Sequence, residues 1–194
     1  MREAIIVFPE AKRHYLLARY ELREAKEDVL MNAQLSDVST TGRRPLQHEL
    51  LFEISGDLAP AQEIGRMPAG VRQIYYVTGG IFAGPRLRGV VLPGGGDWLL
   101  ERSDGTDLLD VRATLQTDDG HLIYTNYRGY VYFPPLALAK QEAGQPLEWS
   151  DYYFRTAPFF ETGSEKYAWL NNVLAVGVGE IVDGTVAYSV YAIK

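Results

Sequence analysis

The pattern of apolar and polar positions changes character once along the chain. Up to about Met31, Tyr15, Ala18, Leu22, Ala25 and Val29 recur at intervals of three and four, with Arg, Glu and Lys between them. That period predicts an amphipathic helix, and Pro9 suits its first turn. A lone helix of about 20 residues is marginal in water, so its apolar stripe needs a partner surface. The alternative is an extension without fixed structure. The stretch from Ser36 to Pro45 reads as a linker by composition.

From Leu46 onward the period is two. Candidate strands are Glu49–Leu58, Arg72–Thr78, Gly80–Val91, Asp97–Arg102, Leu108–Thr117, His121–Phe133, Tyr152–Glu161, Glu165–Val178 and Thr185–Ile193. Ser103-Asp104-Gly105 and Asp118-Asp119-Gly120 are hairpin turn signals, and Gly79-Gly80 and Gly84-Pro85 mark turns or bulges. Pro134 to Gly144 is the other helical candidate, one or two turns long. Strands do not alternate with helices, which argues against a parallel α/β sheet. Nine or so antiparallel strands must hide their edges, and closure does so fully. The expectation is therefore an all-β domain, a closed antiparallel β-barrel of about 8–10 strands over residues 46–194. Residues 1–45 are expected to form an N-terminal α-helical extension and linker. A two-sheet sandwich is the alternative. A barrel of this strand number can hold a small ligand.

Charge narrows the partners. The net charge is −6 over 194 residues; residues 1–45 hold 8 basic and 7 acidic side chains, residues 46–194 hold 11 and 18. A body with that acidic excess lacks the basic stripe that nucleic acid or an anionic membrane requires. No apolar run approaches the roughly 20 residues of a membrane helix, and a cytoplasmic protein is expected. Cysteine is absent, which excludes disulfides, thiolate chemistry and Cys-ligated metal. His14, His48 and His121 are far apart and fall in no metal motif, so neither a metal nor another cofactor is expected. No G-x-S-x-G elbow is present.

The candidate chemistry centres on Asp151 to Asn172, where 22 positions hold seven aromatic, two basic and three acidic residues. On strand spacing Tyr153, Arg155, Ala157, Phe159 and Glu161 share a face. Facing a lumen, Arg155 would hold an anionic oxygen and Glu161 would move a proton; facing out, they are a structural ion pair or solvated charges. Pro158 between them could bend the strand. On the preceding strand, Tyr124, Asn126, Arg128, Tyr130 and Tyr132 form a polar ladder. Ile123, Thr125, Tyr127, Gly129, Val131 and Phe133 form the more apolar opposite face, and one of the two faces lines the lumen. Tyr167, Trp169 and Asn171 make a third face, either ligand platform or core filler. Asp97-Trp98 follows a Gly triplet without nucleotide-loop spacing; Asp97 reads first as a turn residue and second as a carboxylate at a barrel mouth.

Four motifs resemble one family in order and content: Pro93-Gly-Gly-Gly-Asp-Trp98, Thr117-Asp-Asp-Gly120, Tyr152-Tyr-Phe-Arg-Thr-Ala-Pro-Phe-Phe-Glu-Thr162 and Tyr167-Ala-Trp-Leu-Asn171. The chain is similar, from Leu46 to Lys194, to the proteins called domain of unknown function 3237, or UPF0311. The resemblance implies a closed antiparallel β-barrel. It implies no activity, because most members have none assigned, and it does not extend to the first 45 residues.

Together these readings point to a small-molecule ligand, oxygenated aromatic or polyketide-like, held in the lumen. The residue types suit a cofactor-free acid–base enzyme: an isomerase, a dehydratase or hydratase, or a cyclase. Glu161, Arg155 and Tyr124 are the catalytic candidates; Tyr153, Arg128, Trp169, Asn171, Asp97 and Trp98 are the substrate-binding candidates. The alternatives are a non-catalytic carrier or sensor with the same pocket, and an oligomeric interaction module with a filled lumen. Homo-oligomers fit the unpartnered helix stripe.

Overall fold

The computed structural model describes residues 44–182 and 185–194. The expected helix before Met31 lies outside them. Ten strands follow in order: β1 (His48–Leu58), β2 (Gln62–Met67), β3 (Gly70–Ala83), β4 (Arg88–Asp97), β5 (Leu100–Glu101), β6 (Thr106–Thr117), β7 (Leu122–Tyr132), β8 (Tyr153–Glu161), β9 (Ala175–Val182) and β10 (Thr185–Ile193). A short helix, α1 (Pro135–Glu142), follows β7, and a 3-10 turn, Ala168–Asn172, precedes β9.

All pairings are antiparallel, in the order β1-β10-β9-β8-β7-β6-β4-β3, and β3 pairs back onto β1. Eight strands thus close a barrel, as the alternation and the edge argument predict. The two-sheet sandwich is excluded by the β1–β3 ladder, which runs from Glu53↔Ala83 to Leu58↔Val77. The strands β2 and β5 are short additions bonded to β3, with β5 also bonded to β6.

Two expected boundaries shift, and one strand is new. The run Gly80–Val91 is not one strand: β3 ends at Ala83, and Gly84-Pro85 turns the chain into β4. The run Glu165–Val178 contains the 3-10 turn, in which buried Tyr167 and Leu170 are three residues apart, the 3-10 repeat. The strand β2 was not expected, because five of its six residues are exposed and carry no alternating signal. The helix in the Pro134–Gly144 segment and the turns at Asp104-Gly105 and Asp119-Gly120 appear where the sequence puts them.

One end of the barrel is packed shut. Phe52, Phe82, Leu115, Ile123 and Leu170 are almost wholly buried there, and Phe52 meets Phe82 and Phe160 edge-on at 5.5 and 5.9 Å. The Thr117–Gly120 hairpin clamps the 3-10 turn over this end: Lys166 and Tyr167 both donate to Asp119. These bonds, Lys166 foremost, hold the Asp119 carboxyl far below the usual range. Asn171 closes the same junction, accepting from the Thr162 N–H at 2.8 Å and donating to the Thr162 carbonyl at 3.0 Å.

Candidate functional site

Alternation decides which residues meet the lumen. On β8 the buried positions are Phe154, Thr156, Pro158 and Phe160; on β7 they include Ile123, Thr125 and Val131. Apolar rings and small hydroxyls therefore turn inward, where an unpaired Arg or Glu would lose its hydration. A cavity of about 310 Å³ remains between these walls. Its lining is mainly aliphatic and aromatic, with a few polar groups: Tyr75, Asp97, Asp107, Thr125, Tyr127, Thr156, Thr185 and Tyr188.

Asp97, Asp107 and Tyr75 lie away from the sealed end, whereas Thr125 stands in register with Phe160. Asp97 ends β4 and stands in register with Tyr75 on β3 and Val111 on β6; Val111 stands opposite Tyr127, and Tyr127 opposite Pro158. One layer across five strands thus holds Tyr75, Asp97 and Tyr127. The Gly94–Gly96 run makes this possible. Between Leu92 and Gly96, β4 advances four residues while β6 moves two, from Thr114 to Arg112. Two extra residues preserve the inward phase of Asp97. A side chain at Gly95 would put Cβ 2.2 Å from the Arg112 carbonyl oxygen.

Burial pushes the Asp97 carboxyl up to about 6. The Asp110 N–H, donating to Oδ1 at 3.0 Å, pulls the other way, as does the Arg72 charge; Asp110 and Asp107 add to the rise. Asp107 on β6 is also raised to about 6, by burial first and Glu101 second. Tyr75 is raised by burial and then by Glu63, Asp107 and Asp97. Deeper in, the Tyr127 hydroxyl donates to the Tyr188 hydroxyl at 3.2 Å, with the rings 5.7 Å apart and edge-on. Burial raises both phenols, so both are neutral. A hydroxyl pair shares one hydrogen, so the second O–H is left over for a guest. The Thr125 hydroxyl is buried and has no hydrogen-bond partner among the described residues. On β9, Gly179 faces Phe154: a Cβ at Gly179 would lie 2.7 Å from that ring.

Of the nine residues singled out from sequence, Asp97 alone lines this lumen. The inward placement of Arg155 and Glu161 is corrected: with Phe154, Thr156 and Phe160 buried, Tyr153, Arg155 and Glu161 point outward. Pro158 does not break the strand; β8 keeps register with β7 through it, and the β8–β9 bonding ends at Thr156, before its missing N–H would matter. The polar ladder is the outer face of β7, so Tyr124 and Arg128 are outside as well. Trp169 lies on the 3-10 turn under the Arg86 guanidinium, 3.7 Å from its ring. Asn171 serves the Thr162 clamp. Trp98 packs beside Arg112 at 5.3 Å, and its carbonyl accepts from Arg72.

Asp107, Tyr127, Tyr188 and Tyr75 were not singled out. A signal existed for Asp107: it falls in phase with Leu109, Val111, Ala113 and Leu115, the apolar face of β6. Among the described residues no three His, Asp or Glu side chains gather into a metal-binding group. No helix among them is long and apolar enough to cross a membrane.

Residues 46–193 match the family described as protein of unknown function (DUF3237). The chain belongs to this family. A UPF0311 protein of Rhodopseudomonas palustris is 34% identical over 132 residues, covering 68% of this chain and 86% of that protein. The hydroalkoxylation enzyme phnH of Penicillium herquei is 35% identical over 143 residues, covering 72% and 80%. Among solved structures, a β-barrel-like protein of Acinetobacter baumannii is 39% identical with a TM-score of 0.71, covering 80% of this chain and all of that one. An enzyme from Penicillium herquei is 29% identical with a TM-score of 0.58, covering 79% and 99%. The DUF3237 barrel is thus shared from bacteria to a fungus.

Proposed function

We propose that the lumen binds a small, mainly apolar molecule bearing a phenol or alcohol, and that Asp97 moves a proton on it without a cofactor. The observation that carries this reading is a carboxylate set in the wall of a mainly apolar cavity, where burial raises its pKa to about 6. Such a group is ionised at neutral pH yet more basic than an ordinary carboxylate, which suits a general base. The leftover hydroxyl of the Tyr127–Tyr188 pair supplies a neutral donor for a developing oxyanion. Asp107 offers a second carboxyl at the same end of the cavity.

The fungal relative named for hydroalkoxylation supports this class of chemistry. Adding an alcohol across a carbon–carbon double bond breaks an O–H bond and the π bond and forms C–O and C–H bonds. No electrons are gained or lost, so the reaction asks only for a base and an acid. Asp97 would take the hydroxyl proton as oxygen attacks, and a protonated neighbour would deliver one to carbon. Within one substrate this is an isomerisation that closes a ring; run backward between two molecules, it is a lyase reaction.

A panel of alkenyl phenols, followed by liquid chromatography and mass spectrometry, tests the reading. The expected result is a cyclic ether of unchanged mass. Asp97→Asn should slow its formation about 10²–10⁴-fold while substrate still binds. Binding without turnover by the unmodified protein would favour a carrier or sensor, which the largely apolar wall also suits.

A further inference from the structure

The outer faces of β7 and β8 have a composition unlike solvated sheet. Across the two strands the outward pairs are Tyr132 with Tyr153, Tyr130 with Arg155, Arg128 with Ala157, Asn126 with Phe159 and Tyr124 with Glu161. Tyr130, Tyr153 and Phe159 are each about half exposed. The face carries five aromatics, two Arg, one Glu, and no Lys or Asp. Its neighbour β6 shows Asp110, Arg112, Thr114 and Gln116 outward, with Arg112 and Asp110 paired at 3.1 Å. Tyr, Phe and Arg enrichment with Lys and Asp depletion is the mark of a protein interface.

The Arg155 guanidinium lies 5.3 Å from the Tyr153 ring but has no ion-pair partner among the described residues. Neither Arg155 nor Glu161 pairs with an opposite charge among the described residues; Arg155 Nη1 donates only to the Phe154 carbonyl, at 2.8 Å. Six residues of extended strand hold them about 20 Å apart, too far to meet within one chain. They are equidistant from Pro158, about 10 Å each way.

We infer that this face binds the same face of a second copy, across a two-fold axis over Pro158. The axis reverses β8 against itself, so Arg155 of one copy meets Glu161 of the other, twice. The same operation lays Phe159 on Ala157, Arg128 beside Asn126, and Tyr130 beside Tyr124. The large Phe159 ring meets the small Ala157, and Arg128 keeps Asp110 as its register neighbour on β6. An isologous contact requires this kind of self-complementarity. The two charges singled out in the sequence thus become the specificity pair of a dimer rather than a catalytic pair.

Charge reversal in the full-length chain tests the inference by sedimentation equilibrium. The unmodified protein should be a dimer. Arg155→Glu and Glu161→Arg each convert two attractive pairs into repulsive ones, and should weaken the dimer at least about 100-fold. Mixing the two monomeric variants should restore a dimer, because every pair is then opposite in sign. Phe159→Lys, at the centre of the face, should also give a monomer. Circular dichroism should stay unchanged for these outward positions, and the melting temperature should fall only by the share that dimerisation contributes by mass action. A monomeric unmodified protein, self-association that ignores both reversals, or variants that fail to pair on mixing would each overturn the inference.

Discussion

Asp97 makes a quantitative prediction that needs no substrate. Its folded pKa of about 6 stands well above the ordinary 3.8, so the folded protein holds this proton more tightly than the unfolded chain does. The stability linked to that proton is fully present below pH 3.8. It is lost as pH rises through 6, falling by about 1.4 kcal/mol per pH unit inside the window. Across roughly two units the loss is about 3 kcal/mol at neutral pH. Asn in place of Asp97 keeps the acceptor for the Asp110 N–H and removes the charge. Urea denaturation of both proteins from pH 4 to 7 reads the difference, which cancels the other titrating groups. The Asp97→Asn variant should match the parent near pH 4 and exceed it by up to about 3 kcal/mol at pH 7, about 6–10 °C in Tm for a domain this size. Asp107 acts in the same direction in both proteins. A difference that is flat with pH, or a variant less stable at pH 7 than at pH 4 relative to the parent, would refute the placement of a desolvated carboxylate in the lumen wall.

Three further outcomes follow from packing and placement. Phe160→Ala should cost about 3–5 kcal/mol in denaturant unfolding, because it empties the sealed end where Phe52 has its edge contact. Gly179→Ala should cost about 1–3 kcal/mol and lower lumen affinity, because the new methyl drives the Phe154 ring inward; unchanged binding by titration calorimetry would count against that displacement. Glu161→Gln should leave lumen binding and turnover at the parent level, since the side chain lies outside the barrel; a large loss of turnover would return it to the site.

How far the sequence could be read depended on whether a strand has one buried face. The strands β6, β7 and β8 each bury one side, and the resulting alternation located them closely; β1 buries Leu51 and Phe52 together at a bulge and was legible as an apolar run. The strand β2 buries neither face and left no trace. The Gly80–Val91 run hid a hairpin because Phe82 and Leu87, both buried, flank Gly84-Pro85 and read as continuous. The site was harder, because alternation gives two faces without saying which is inside. On β8 the charged face looked like a pocket wall, yet burying Arg155 and Glu161 without partners costs more than burying Phe154 and Phe160. Asp97 was legible as a residue after a glycine run, while its role depended on a two-residue bulge that only the register reveals. Tyr127 and Tyr188 are 61 residues apart, and nothing local couples them.

The packed end has a consequence for traffic. With Phe52, Phe160 and Leu170 filling one end, whatever enters the cavity leaves by the way it came, past Asp97 and Asp107. Entry and exit then share a single-file route. A departing product blocks the next arrival, so product inhibition should be strictly competitive. A guest longer than the cavity must go in end-on and leave its tail in solvent, which lets one short lumen serve molecules of very different length.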